Sequence, residues 1–67
     1  MTEKELSKFY GKRVRVKSIR DITIEGVFDT FTPALDNDLG IAEIGITRGM
    51  AITSLILPDI KSMEIIE

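Results

Sequence analysis

The sequence predicts a mainly β domain, in which one short N-terminal α-helix precedes five strands bent strongly into a small antiparallel barrel. Three observations carry that expectation. A capping signature and an apolar stripe at helical spacing open the chain. Strict apolar–polar alternation takes over at Arg13. A glycine then interrupts the longest alternating run, where a small barrel needs a sharp bend. At 67 residues there is room for one domain spanning 1–67.

The helix is expected over about residues 2–10. Thr2 followed by Glu5 fits a capping box, and Glu3 and Glu5 sit where the helix dipole favours negative charge. Leu6, Phe9 and Tyr10 fall on one face, and Gly11 is a left-handed stop. A helix this short needs a surface to rest on. The first strand, about 13–19, places Val14 and Val16 on one face and Arg13, Arg15 and Lys17 on the other. Arg20-Asp21 is a tight connection to a long second strand, about 22–31, whose faces are Ile24, Gly26, Phe28 and Thr23, Glu25, Val27, Asp29. Residues 32–40 form a loop, because Pro33 cannot join a ladder and Asn37, Asp38 and Gly40 are turn formers. The third strand runs over about 41–47, a hairpin turn falls at Arg48-Gly49, and the fourth strand covers about 50–57. Pro58-Asp59 breaks the chain with a 3₁₀ turn before a final strand over about 61–66.

Composition excludes several function classes. Cysteine and histidine are both absent, which removes disulfides, thiolate metal sites, the usual zinc ligand and the usual general base. Asp36 and Asp38 are read as solvated turn formers, and the isolated glycines match no phosphate-binding loop. No catalytic residue, metal, cofactor or small-molecule substrate is expected, and the chain is read as no enzyme. It carries no apolar run of membrane-spanning length and no secretory leader, so a soluble cytoplasmic protein with no membrane role is expected. The net charge of −2 argues against indiscriminate nucleic-acid binding but allows a local basic face.

Two stretches single themselves out. Lys12, Arg13, Arg15, Lys17 and Arg20 hold five of the nine cations. Arg13, Arg15 and Lys17 share a strand face at a spacing that can follow a phosphate backbone. The competing reading is a solvated face paired with Glu25 or Asp29 across the hairpin. The run 50–57 is apolar on both faces, with Ile52 and Ile56 on one and Leu55 and Leu57 on the other. A strand with one solvated face alternates instead. A small domain without disulfide or metal gains most from a partner, so a subunit contact is favoured over helix packing alone.

At this point a family resemblance covers nearly the whole chain. Gly11-Lys12-Arg13-Val14-Arg15-Val16 resembles the G-K-x-V-x-V opening of the first Sm strand. Ile24-Glu25-Gly26-Val27-Phe28-Asp29-Thr30-Phe31 resembles the second strand with its bend glycine, and Pro58-Asp59-Ile60-Lys61-Ser62-Met63-Glu64-Ile65 resembles the turn into the last. In this order they resemble the Sm-like family, with SH3-like barrels sharing much of the pattern. Two signatures depart. Thr32-Pro33-Ala34-Leu35-Asp36 stands where the family has D-x-x-M-N, and Leu57-Pro58-Asp59 replaces hydrophobic-R-G. The missing arginine removes a guanidinium that stacks or pairs with phosphate.

The resemblance implies a cyclic homo-oligomer of about five to seven subunits, closed by pairing the fourth strand of one copy with the fifth of the next. Ile52, Leu55, Ile56, Leu57, Met63 and Ile65 are the interface candidates. It implies single-stranded RNA as a partner, held by Leu35, Asp36, Asn37, Pro58 and Asp59 at the ring opening, with Arg13, Arg15 and Lys17 as the basic contribution. The alternatives are a protein-interaction or structural ring without a nucleic-acid role, and a monomeric SH3-like barrel that binds another protein.

Overall fold

In the computed structural model, residues 2–38 and 40–66 are described. The chain forms α1 (Glu3–Leu6), β1 (Arg13–Ser18), β2 (Thr23–Thr32), a first 3₁₀ turn (Ala34–Asp36), β3 (Glu43–Arg48), β4 (Ala51–Ile56), a second 3₁₀ turn (Leu57–Asp59) and β5 (Ile60–Ile65). All five strands belong to one antiparallel sheet in the order β4-β3-β2-β1-β5.

The helix is shorter than its stripe suggests. Its start is as expected: the Thr2 hydroxyl accepts from the Glu5 amide, and the Glu5 carboxylate accepts from the Thr2 amide. It ends at Ser7, whose hydroxyl donates to the Lys4 carbonyl at 2.7 Å, a local bond that competes with helix continuation. Beyond it the amides of Lys8, Phe9 and Lys12 each bond three residues back. These tighter turns bring Gly11, at φ 81°, close enough for its amide to bond the Phe28 carbonyl at 2.7 Å. Sheet pairing, not helix, claims residues 11–12.

Alternation holds through β1, where Val14, Val16 and Ser18 are buried and Arg13, Arg15 and Lys17 are exposed. Ile19 leaves the strand because the Ser18 hydroxyl accepts from the Arg20 and Ile22 amides and folds the connection. β3 begins two residues later than expected. The Ile41 carbonyl accepts from the Asn37 side-chain amide, and the Ala42 carbonyl accepts from the Leu57 amide, so neither joins the β2 ladder. Arg48 pairs with Ala51, which moves the hairpin turn to Gly49-Met50.

The sheet is open, with β4 and β5 as its edges, so its ladders do not close the expected barrel. It is nevertheless rolled. A flat sheet of five strands sets its outer two roughly 19 Å apart. Only Leu57, Pro58 and Asp59 connect them, and a three-residue 3₁₀ segment advances roughly 6 Å. The Ile19 amide also bonds the Asp59 carbonyl, tying the β1–β2 hairpin to that connection. Breaks in register at Lys17/Ser18 and at Phe28/Thr30 help the strands turn. The concave side encloses Leu6, Val14, Val16, Phe28, Ile44, Ile46, Ile60 and Met63, with Phe9, Ile24, Phe31, Leu55 and Leu57 packed against them.

Candidate assembly edges and loop face

β4 is open in three directions. Residues 51–54 are exposed whichever face of the sheet they occupy, and the strand has no ladder beyond β3. Its outer face is set by register: Thr47 opposes Ile52 on β4 and Val27 on β2, which in turn opposes Arg13 on β1. Ile52 is 65% exposed there, and Ile56 is half-buried farther along. No charged residue occurs between Arg48 and Asp59. Free edges are normally protected by charge, proline or a covering segment, and residues 51–56 carry none of these.

The second edge is different in character. On β5, Lys61 and Glu64 carry charge and Ile65 is 47% exposed, whereas Met63 is buried at 9%. Met63 opposes Val16 on the core side of the ladder, so its side chain belongs to this chain's own core and is not on offer at the edge. Leu55 and Leu57 pack against the core but stay half-buried, as Ile56 does. Of the six interface candidates only Met63 is buried, and Ile52 and Ile65 are the most exposed.

The loop candidates gather at one end. The bond from the Leu57 amide to the Ala42 carbonyl, 2.8 Å, joins the β2–β3 loop to the second 3₁₀ turn. Leu35 is 99% exposed on the first 3₁₀ turn, with Asp36 beside it, and Pro58 is exposed on the second. Asn37 is already engaged, its amide donating to the Ile41 carbonyl at 2.8 Å. Asp59 is half-buried, with its carbonyl bonded to Ile19.

The cations are not brought to that end as a group. Arg13 begins β1 and Ser18 ends it beside the Asp59 connection, a strand length of roughly 17 Å away. Arg15 is clamped between neighbours on both sides, with Nε 2.8 Å from Glu25 Oε2 and Nη1 2.9 Å from Glu64 Oε1. These hydrogen bonds, Glu25 first and Glu64 second, raise the guanidinium's pKa. Reciprocally, the Arg15 hydrogen bond and charge hold the Glu25 carboxyl below its ordinary value. Lys17 and Lys61 both approach Asp21 at 3.9 Å. Pairing across the hairpin with Glu25 therefore describes Arg15. Glu64 was not legible as its second partner, because it lies 49 positions away and only the β1–β5 register brings it opposite.

Among the described residues no group of three or more acidic side chains is placed to hold a metal ion, and no helix is long and apolar enough to cross a membrane. Comparisons with family models, with curated proteins and with solved structures find no match to this chain.

Proposed function

We propose that this chain is a subunit of Sm-like barrel type that closes into a homo-oligomeric ring through its two free sheet edges, and that the ring receives single-stranded RNA at its loop end in the cytoplasm. The observation that carries the assembly is the pairing of opportunities on one sheet: β4 and β5 are both unpaired edges, and β4 carries no charge. A β4 edge laid against the β5 edge of the next copy satisfies both rows of backbone groups and covers Ile52 and Ile65. The rolled sheet and the resemblance of residues 11–16, 24–31 and 58–65 to Sm strands support the barrel reading. For RNA, the support is the convergence of the 33–42 loop with Leu57, Pro58 and Asp59, which a ring would repeat around its opening.

A second reading, a protein-interaction or structural ring without nucleic acid, is favoured by charge. Arg15 is neutralised by two glutamates, while Asp36, Asp38 and Asp59 stand at the loop end and repel phosphate. Native mass spectrometry at micromolar subunit concentration, with and without short U-rich and A-rich RNA, tests both. The expected result is a closed oligomer that takes up U-rich RNA at low salt and releases it as salt rises. A folded monomer overturns the ring. A ring that takes up no RNA at low salt selects the second reading.

A further inference from the structure

Between α1 and the end of β2 lies a pocket of about 450 Å³, lined by Glu3, Leu6, Ser7, Tyr10, Phe28 and Phe31. Its size is that of a small-ligand site, for which roughly 300–1,000 Å³ is usual. The early end of the helix builds it. Leu6, 1% exposed, pins α1 to the core, and the turns that follow carry Tyr10 back over the sheet. The Tyr10 ring meets Phe28 edge-on, with centroids 5.4 Å apart and planes at 70°, and its hydroxyl donates to the Asp29 carbonyl at 2.9 Å. Phe28 is buried as the floor, and half-buried Phe31 lies on the same strand.

The polar groups of this pocket are unequal. The Tyr10 and Ser7 hydroxyl protons are already donated, to Asp29 and to Lys4 respectively. Among the described residues the Glu3 side chain makes no ion pair or hydrogen bond, and no lysine or arginine of them lines the pocket. A ligand therefore meets aromatic rings and a carboxylate that none of these residues pairs.

We propose that this pocket binds a small organic ammonium ion, with its alkylated cationic group against Tyr10 and Phe31 and its charge opposite Glu3. Ring faces carry negative electrostatic potential and attract a weakly hydrated cation, while a carboxylate at the same mouth adds attraction that a neutral ligand does not feel. The same carboxylate disfavours a nucleotide, whose base would stack but whose phosphate is repelled. The pocket lies within one chain and needs neither the ring nor RNA.

The chain has one tyrosine and no tryptophan, so tyrosine emission from the full chain reports on this pocket alone. Choline is expected to change it saturably, with a dissociation constant on the order of 1 mM. Its uncharged carbon isostere, dimethylbutanol, should bind about tenfold more weakly. Glu3→Gln, at an exposed position, should weaken choline about threefold to tenfold and leave dimethylbutanol unchanged. Phe31→Leu, which keeps an apolar side chain but removes the ring, should weaken choline too. Equal affinity for choline and dimethylbutanol, indifference to Glu3→Gln, or no saturable response up to about 100 mM overturns the proposal. So does saturable binding of uridine monophosphate where choline has none, which would make this a nucleobase site.

Discussion

A methyl group placed on Gly26 would lie 2.5 Å from the Thr47 carbonyl oxygen and 2.8 Å from Ile46 Cγ2. The glycine is required by close approach: β2 leaves the β3 ladder at Val27, and its neighbour passes directly over the end of β3. Because one of the obstructing atoms is backbone, it cannot swing aside. Gly26→Ala is expected to destabilise by about 1–3 kcal/mol through overpacking, read as a lower urea midpoint with an unchanged slope. A midpoint equal to the unmodified chain's would show that the strands part freely there. Glu25 makes a second prediction at this scale. Arg15 lowers its pKa from the ordinary 4.5, so the folded state binds this proton less readily than the unfolded one. The stabilisation is thus present above the ordinary value and is lost as pH falls through the depressed one. Glu25→Gln should lower the urea midpoint at neutral pH and flatten its fall on acidification. Added salt should shrink the difference, since the pair is solvent-exposed. Parallel pH profiles for the two proteins would contradict it.

Among the elements, α1 shows how far a local signal reaches. The capping box was legible because both of its bonds lie within four consecutive residues. The fate of residues 8–12 was not, because after the Ser7 hydroxyl has closed the helix on Lys4, pairing of Gly11 and Lys12 with distant Phe28 claims the chain. Thr2→Ala should cost about 1 kcal/mol at the helix start, seen as faster amide exchange at Glu5 and Leu6. Unaltered exchange there would mean that Leu6 packing alone holds the turn. β4 shows the converse. Its two apolar faces are plain in the sequence, yet only register separates Leu55, turned to the core, from Ile52, turned out beside Val27 and Thr47. Met63 could not be separated from Ile65 by pattern either, although one is core and the other half open.

For the whole molecule, the open edges connect stability to concentration. If β4 and β5 pair between copies, assembly adds to the stability of each fold, and Tm should rise over about a hundred-fold range of protein concentration. Ile52→Lys puts a charge on the uncovered face of β4, where the single chain exposes the side chain anyway. It should leave a folded chain whose Tm no longer depends on concentration. A concentration-independent Tm in the unmodified protein, or a variant that still assembles, would remove the assembly reading.

By itself the sequence determined the helix start, the number and order of the strands, the inward face of β1 and the place of the second 3₁₀ turn. Each of these is written in bonds or alternation between near neighbours. Tertiary structure alone decided that the sheet stays open at β4 and β5, that Arg15 is held by Glu64 as well as Glu25, and that Asn37 spends its amide on Ile41. It also decided that Tyr10 and Phe31 meet Glu3 around one pocket. The physical reason is common to them: which strand lies beside which, and in what register, depends on how the rolled sheet packs its core, and no local periodicity encodes a neighbour that distant.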